Sequence, residues 1–306
     1  MSFSLSTIRH NGQPTPVIEV VGKYWSLAEV APELLPPHGR GLIELFRGWQ
    51  ANEASLLALA LQLSEGIHPV RPLDVELQDD DFLAPLQYPS KIVMTGANYW
   101  DHVRVDMKML DFRKEDFDPL FFLKPATALT GAGKSVRYPV QSNAYDWEVE
   151  LAVVIGKGGK RIRVEDAMSH VAGYAIGLDL SARDWQMSDR HPKKFDLFGG
   201  KVLDDSSPFG PKIVPARFIS DPANLDIKLW VNDELKQNSN TREMIWSIAE
   251  QISAMSQHVT LEPGDLLFTG SPAGVGMVSG TYLKLGDRID AEITGLGHLR
   301  VELIEE

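Results

Sequence analysis

Two glutamates separated by a single residue, Glu148 and Glu150, lead into an apolar run at residues 151–155. The run is rich in β-branched residues and ends at glycines, which predicts a strand followed by a turn. Because strand side chains alternate between faces, both carboxylates point to the same side. Such neighbours repel one another unless a cation lies between them, and oxygen ligands favour Mg²⁺, Mn²⁺ or Ca²⁺ over zinc. The alternative is the solvated edge of an amphipathic strand.

A third carboxylate, Asp179, follows a second apolar run at residues 171–178. If the two predicted strands are neighbours, Asp179 completes a set of three oxygen ligands with Glu148 and Glu150. Three protein carboxylates leave the other positions of Mg²⁺ or Mn²⁺ for water and substrate. An open site of this kind suits catalysis.

The elements that must position these carboxylates are predicted from the apolar patterns. Residues 1–85, with two short strands and two helical segments, are predicted to form a small N-terminal α/β accessory domain. Residues 86–306 are strand-rich and form the predicted catalytic domain. One helix interrupts them, because Asn240 and Glu243 have capping-box spacing and apolar residues follow at helical spacing. The predicted strands are 5–9, 17–21, 91–95, 121–124, 149–155, 171–178, 225–232, 265–269 and 288–293, with a hairpin turn at 231–235.

Composition excludes several classes of function. The chain has 306 residues, enough for one large domain or a large and a small one. Its 42 acidic and 30 basic side chains give a net charge of −12, which argues against a nucleic-acid partner. Cysteine is absent, so disulfides and thiolate catalysis are excluded. The apolar run 56–61 is too short to span a bilayer and residues 1–9 lack a signal-peptide pattern, so we expect a cytoplasmic protein without membrane contact.

Several motifs together resemble the fumarylacetoacetate hydrolase superfamily in order and spacing. The resemblance extends from about residue 85 to the end, and the first 85 residues resemble the variable N-terminal domain of many bacterial members. The motifs are NYWDH at 98–102, FLKP at 122–125, DWEVELAVVIG at 146–156, GY at 173–174 through Asp179, ARD at 182–184, GK at 200–201 and TGSPAGVG at 269–276.

The resemblance implies a strand-rich α+β fold, namely a mixed β-sandwich roll of the fumarylacetoacetate hydrolase C-terminal type, in a homodimer. It also implies Mg²⁺ or Mn²⁺ (Ca²⁺ as a substitute in a crystal) held by Glu148, Glu150 and Asp179. Members act on small 2-oxo acids. They cleave C–C bonds in acylpyruvates, decarboxylate oxaloacetate-like acids, isomerise dienedioates, or hydrate and dehydrate 2-oxo acids.

The same resemblance suggests further site residues. Lys201 is expected to place a positive charge near the developing oxyanion, and its alternative is a surface lysine. Arg183 and Gln186 are expected to bind a second polar group of the substrate, although Arg183 could instead pair with a carboxylate and orient the metal ligands. The hydroxyl and backbone N–H groups of Thr269 and Gly270 suit a substrate carboxylate, unless the turn there serves geometry alone.

His102 is the predicted base that activates water, and Tyr99 beside it is a predicted substrate-binding residue. Family members commonly pair this histidine with a glutamate three residues later, where this chain has Val105. Asp106 stands one position further and shares a helical face with His102 at i, i+4 spacing. The charged segment 106–120 is either a lid that orders on substrate binding or an ordinary solvated loop.

These residues favour hydrolysis of a C–C bond in an acylpyruvate-type 1,3-dicarbonyl acid. The metal and Lys201 would hold the pyruvate enolate, while His102 and Asp106 direct water at the distal carbonyl. The missing glutamate raises the alternative of an isomerase, decarboxylase or dehydratase at the same metal site. Its substrate would be a hydroxymuconate-type dienedioate, an oxaloacetate-like acid or a 2-oxo-3-deoxy sugar acid. A third alternative is a binder that keeps the metal site without turnover.

Overall fold

The computed structural model of the protein describes residues 2–35 and 41–306. Its fold is strand-rich α+β, as the sequence predicts, and the strands of the described residues form three sheets. The largest sheet has eleven strands. In order across it lie Lys23–Ser26, Gln13–Val20, Phe3–His10, Ser207–Pro215, Val171–Leu178, Val149–Ile155, Leu266–Phe268, Ile92–Gly96 and Leu120–Lys124, with Phe82–Leu83 beside Phe3–His10 and Leu129–Thr130 beside Ser207–Pro215.

The second sheet has five strands and the third has two. The five, in order, are Glu234–Asn240, Asp226–Val231, Arg288–Ile293, Gly297–Ile304 and Gly133–Arg137, and the two are Ser181–Ala182 and Tyr145–Asp146.

Helices are few and mostly short in the described part of the chain. The longest are Trp49–Ser64 and Ile248–His258. No helix there is long and apolar enough to cross a membrane. The other helices are Leu27–Val30, Leu42–Arg47, Val164–Ala167, Arg183–Gln186, Leu197–Lys201 and Gly276–Ser279, with a π-helical turn at His102–Asp106 and 3-10 turns at Pro32–Leu34, Asp79–Asp81, Lys114–Asp116, Ala126–Ala128, Met168–His170, Ala216–Phe218 and Thr241–Glu243.

The central strand Val149–Ile155 is buried along its whole length because it separates two apolar cores. Val149 and Leu151 face a core shared with the five-stranded sheet. Ala152 and Val154 face the other core, which includes the N-terminal helices. Burial on both faces explains the continuous apolar sequence of this strand, since a half-exposed strand would alternate with polar residues.

The N-terminal residues share a sheet and a core with the rest of the chain. Strand Phe3–His10 pairs antiparallel with Ser207–Pro215, and Leu5 lies opposite Ile213. Side chains of both parts pack in one apolar core. The division of the chain at residue 85 stays a prediction about its folding units.

Three predicted strands, Val149–Ile155, Val171–Leu178 and Arg288–Ile293, begin and end at the expected residues. The hairpin turn at Asn232 and Asp233 is also present, and both residues have positive φ as a two-residue turn requires.

The predicted start of the long C-terminal helix is wrong. Asn240 caps only the short turn Thr241–Glu243. The backbone N–H groups of Ile245 and Trp246 donate to Asn98 instead of entering a helix. The helix therefore begins after Ser247, which forms the capping box with Glu250.

Candidate active site

Three carboxylates converge where the two central strands end. Val149 lies opposite Leu178, and the next pair continues the register because the backbone N–H of Asp179 donates to the carbonyl of Glu148 at 2.9 Å. Ligand oxygens of Glu148, Glu150 and Asp179 all lie within 4.8 Å of one another. All three residues are buried. The structure thus brings together the three residues that the sequence singles out as metal ligands.

The surroundings of Glu150 fit a divalent cation. Its carboxylate accepts a hydrogen bond from the backbone N–H of Gly270 at 2.6 Å, and no cationic side chain of residues 2–35 or 41–306 forms an ion pair with it. Burial, together with the negative charges of Asp179 and Glu148, raises the pKa of Glu150 well above its ordinary value. A hard cation removes this repulsion, and an all-oxygen donor set is the one that Mg²⁺ and Mn²⁺ prefer.

The other two carboxylates form ion pairs with buried lysines. Lys201 Nζ lies 2.5 Å from Glu148 Oε2 and 2.6 Å from Asp179 Oδ2. Lys124 Nζ lies 2.6 Å from Asp179 Oδ1. Burial opposes the charge of Glu148, but Arg183 and Lys201 outweigh it and lower the pKa of this carboxyl. Lys201 is only 4% exposed, so it is not a surface lysine.

Arg183 links the converging carboxylates to the loop that contains Gly276. Its guanidinium donates to Glu148 Oε1 at 2.5 Å, to Asp146 Oδ2 at 2.8 Å and to Gln186 Oε1 at 2.9 Å. The buried carboxylate of Asp146 also accepts from the backbone N–H of Gly276 at 2.6 Å. Each of the three guanidinium nitrogens of Arg183 thus donates to a protein group, which fits the orienting role rather than direct contact with substrate.

His102 and Asp106 form a contact within the π-helical turn. His102 Nδ1 lies 2.7 Å from Asp106 Oδ2, and the N–H of Met107 donates to the carbonyl of His102 across five residues. The wider turn keeps position i+4 on the face of His102. Val105, at the position where the resemblance predicts a glutamate, is 63% exposed. Asp106, which is shorter than glutamate and lies one residue after Val105, thus contacts the imidazole of His102.

A cavity of about 220 Å³ contains His102 and the converging carboxylates. Its polar lining is formed by Thr95, His102, Glu148, Glu150, Asp179, Arg183, Gln186, Lys201 and Ser271.

Two predicted substrate-binding residues lie behind the cavity wall. Tyr99 and Thr269 are both 0% exposed, and Thr269 Oγ1 donates to the carbonyl of Leu151 at 2.9 Å. Gly270 acts on Glu150 through its N–H group. The structure does not bring these three to the cavity surface, and their contact with substrate stays a prediction.

The charged segment 106–120 is docked on the protein at two points. The ring of Phe112 stacks on Phe117 at 4.8 Å between centroids and meets Trp100 and Trp246 edge-on. Lys114 Nζ lies 2.6 Å from Glu250 Oε1, at the start of helix Ile248–His258. Movement of this segment as a lid stays a prediction.

Sequence reasoning overlooked Lys124 and Asp146. Lys124 is buried at the end of the apolar strand Leu120–Lys124, and burial lowers its pKa despite the nearby charge of Asp179. A lysine that interrupts an apolar run was the available signal. The signal for Asp146 was similar, because it precedes Glu148 and Glu150 at the start of a buried strand. A third acid at this position is stable only if a cation or hydrogen-bond donor pairs with it.

Residues 91–304 match the family model described as fumarylacetoacetate (FAA) hydrolase C-terminal. The chain belongs to the fumarylacetoacetate hydrolase family. The match spans the carboxylate cluster, His102 and Lys201, and it leaves out the first 90 residues.

Relatives within the fumarylacetoacetate hydrolase family differ in the reactions their names describe. The chain is 41% identical to oxaloacetate tautomerase FAHD2B, mitochondrial, of Bos taurus, over 87% of each chain. A fumarylacetoacetate hydrolase from Exiguobacterium antarcticum covers 100% of both chains with a TM-score of 0.81 and 29% identity. A fumarylpyruvate hydrolase from Pseudomonas aeruginosa, solved with Mn²⁺ and pyruvate, is 37% identical over 78% of this chain and 100% of its own, with a TM-score of 0.62.

Proposed function

We propose that this protein is a metal-dependent hydrolase of the C–C bond in acylpyruvate-type 1,3-dicarbonyl acids. The observation that carries the proposal is the contact between His102 and Asp106 at the cavity of the three carboxylates. An imidazole held by a carboxylate at one nitrogen can take a proton from water at the other. The 37% identical fumarylpyruvate hydrolase, solved with Mn²⁺ and pyruvate, supports the same chemistry.

Glu148, Glu150 and Asp179 would hold the Mg²⁺ or Mn²⁺ ion. When bound, the ion supplies positive charge that stabilises the enolate of a 2-oxo acid. Lys201 adds a second positive charge beside the same carboxylates, because Asp179 and Glu148 outweigh the effect of its burial and raise its pKa.

The dyad directs water at the distal carbonyl of the substrate. His102 Nε2 accepts a proton while the water oxygen attacks the carbonyl carbon, and Asp106 holds Nδ1 and stabilises the imidazolium. The bond from that carbon to C3 then breaks with its electron pair left on C3. Return of the proton to C3 gives pyruvate, and the attacked carbon becomes a carboxylic acid, so one water is consumed.

Gln186 is suited to hold the carboxylate of the pyruvate half. Its amide oxygen accepts from Arg183 at 2.9 Å, which turns its N–H₂ group away from the guanidinium. Gln186 lines the cavity although it is only 7% exposed. A neutral donor at this depth can bind substrate without adding to the dense charge around Glu148.

The second candidate is isomerisation, decarboxylation or dehydration of a related 2-oxo acid at the same site. The 41% identical oxaloacetate tautomerase favours this reading. Here His102 would move a proton at C3 and no water would attack a carbonyl. Oxaloacetate, a hydroxymuconate-type dienedioate and a 2-oxo-3-deoxy sugar acid are the corresponding substrates.

The test is turnover on a panel of these acids and acylpyruvates with added Mg²⁺ or Mn²⁺. Metal-dependent release of pyruvate and a carboxylic acid from an acylpyruvate supports the hydrolase. Turnover of another acid on the panel, with acylpyruvates untouched, supports the second candidate. The homodimer and the cytoplasmic location are part of the proposal, and gel filtration with light scattering tests the former.

A further inference from the structure

The outer part of the active-site cavity is apolar. Five of its lining side chains are large, apolar and between 38% and 56% exposed. Exposed apolar side chains gathered around one cavity indicate a ligand-binding surface, because isolated ones are scattered in ordinary proteins. This apolar rim consists of Met107, Leu120, Met187, Phe195 and Met277.

The cations of the cavity lie deeper and are already paired. Lys201 and Arg183 are both less than 10% exposed, and both form ion pairs with Glu148. The imidazole of His102 is held by Asp106. Within the described residues, no cation that lines the cavity is left to meet a charge at the rim.

The hydroxyl groups of the cavity, on Thr95 and Ser271, lie in its buried part and contact protein partners. Thr95 Oγ1 donates to Gln251 at 2.8 Å. Ser271 Oγ accepts from Gln237 at 2.9 Å. Both side chains are buried, at 2% and 5% exposed, so neither hydroxyl lies at the exposed rim where a distal carboxylate would be.

A neighbouring loop carries cations that do not line the cavity. Lys194 pairs with Asp189 at 2.9 Å, and Arg190 and Lys193 are exposed. Phe195 is the residue of this loop that reaches the rim. The loop therefore presents an apolar ring to the cavity and its charges to water.

We infer that the substrate's distal arm is an uncharged apolar acyl group, so that the protein selects against 2-oxo acids with a second carboxylate. The inference rests on the proposed function for the inner half of the site. A distal carboxylate would leave water for an apolar rim without a partner, which disfavours binding. An alkyl arm instead buries its methylenes against the rim, and each fully buried methylene should raise the affinity about fourfold.

The first test compares two acids of equal carbon number, 2-oxohexanoate and 2-oxoadipate, on the Mn²⁺-loaded protein. Titration calorimetry should give a Kd at least about tenfold lower for 2-oxohexanoate. Equal or tighter binding of 2-oxoadipate overturns the inference and would mean that a loop cation such as Arg190 reaches the rim. Failure of both acids to bind overturns it as well.

A matched pair of variants tests the rim itself. Leu120 and Leu123 lie on one strand and are 46% and 55% exposed, but only Leu120 lines the cavity. Leu120→Lys should narrow or reverse the preference for 2-oxohexanoate, because the new ammonium meets the distal carboxylate. Leu123→Lys should leave the ratio of the two Kd values unchanged. Equal effects of the two variants would contradict a specific role of the rim.

Turnover separates this inference from the proposed function. Butanoylpyruvate and succinylpyruvate have the same chain length and differ in the terminal carboxylate. A higher kcat/KM for butanoylpyruvate supports both proposals. Cleavage of succinylpyruvate at the higher kcat/KM keeps the hydrolase and overturns the apolar arm. Cleavage of neither acid removes the hydrolase, and the binding comparison then decides the inference alone.

Discussion

The carboxylate of Asp106 lies between His102 Nδ1, 2.7 Å away, and the backbone N–H of Gly274, 3.1 Å away. The first contact comes from the π-helical turn and the second from the loop 269–276. Gly274 has a φ of +101°, and a Cβ there would lie 2.1 Å from the carbonyl oxygen of Lys236. The loop therefore requires glycine at this position, and the orientation of the dyad depends on two segments far apart in sequence.

Removing the charge of Asp106 should impair the proposed base. We expect Asp106→Asn to lower kcat on an acylpyruvate by about a hundredfold, because the imidazolium loses its partner. Affinity for Mn²⁺ should stay within a factor of about two, since Asp106 is not among the converging carboxylates. Timed assays of pyruvate release give kcat, and titration calorimetry gives the affinity for Mn²⁺. Asp118→Asn, an exposed change in the same segment, is the control, and an unchanged kcat in Asp106→Asn would refute the dyad.

Metal removal should destabilise the protein through Glu150. Its buried carboxylate lacks an ion pair among the described residues, so a bound cation should raise the free energy of unfolding by roughly 2.7 kcal/mol at a hundredfold excess over Kd. Glu150→Gln should make the chelator-treated protein more stable than wild type, because the unpaired charge is gone. It should also abolish the metal-dependent rise in Tm. An undiminished rise in this variant, compared with the exposed control Glu65→Gln, would exclude Glu150 as a ligand.

Asp146 is expected to stabilise the site without touching substrate. Asp146→Asn breaks a fully buried ion pair with Arg183 and should cost about 3 kcal/mol in the free energy of unfolding. Because Arg183 also orients Glu148, Mn²⁺ affinity should fall roughly tenfold. Urea titration and calorimetry are the measurements. Asp290→Asn removes a more exposed pair with Arg300 and should cost about 1 kcal/mol or less; equal losses in the two variants would contradict the role of burial.

Acid should release the docked segment 106–120. Burial opposes the charge of Glu250, but hydrogen bonds from Lys114 and Ser247 outweigh it and hold the pKa of Glu250 below its ordinary value. A lowered pKa in the folded state means that the contact is fully present above pH 4.5 and is lost as the pH falls through the lower value.

Hydrogen exchange of residues 107–118 reports this release. Lys114→Gln should lower the protection factors of these amides at pH 7. It should also remove most of the further loss of protection that acidification causes in wild type. The exposed control Lys108→Gln should retain the wild-type pH dependence. The same slow exchange in Lys114→Gln and wild type at pH 7 would show that Phe112 alone holds the segment.

The sequence predicts the carboxylate cluster because strand alternation is local. Glu148 and Glu150 share a face whichever strand pairs with theirs. To place Asp179 beside them, the prediction had to get only one strand pairing right, that of Val149–Ile155 with Val171–Leu178. The contact between His102 and Asp106 is equally local, since both lie in one turn.

Contacts across the sheet could not be predicted in this way. Lys124 meets Asp179, and Asp146 meets Gly276, only because of the order of strands and the path of the loop 269–276. Strand Ser207–Pro215 contains three prolines, Pro208, Pro211 and Pro215. Its sequence therefore resembles that of a loop, although the strand lies centrally in the largest sheet. The misplaced helix start has the same origin, because Asn98 withdraws the N–H groups of Ile245 and Trp246 from the helix.

The most direct measurement of the central claim is hydrolysis of butanoylpyruvate in ¹⁸O-labelled water with Mn²⁺ present. A water-attacking hydrolase must place labelled oxygen in the released butanoate and form pyruvate in equal amount, and Asp106→Asn must slow both together. Mass spectrometry of butanoate gives the label, and a coupled assay gives pyruvate. Consumption of butanoylpyruvate or oxaloacetate without labelled carboxylic acid would contradict the hydrolase and leave proton transfer at C3 as the reaction of this site.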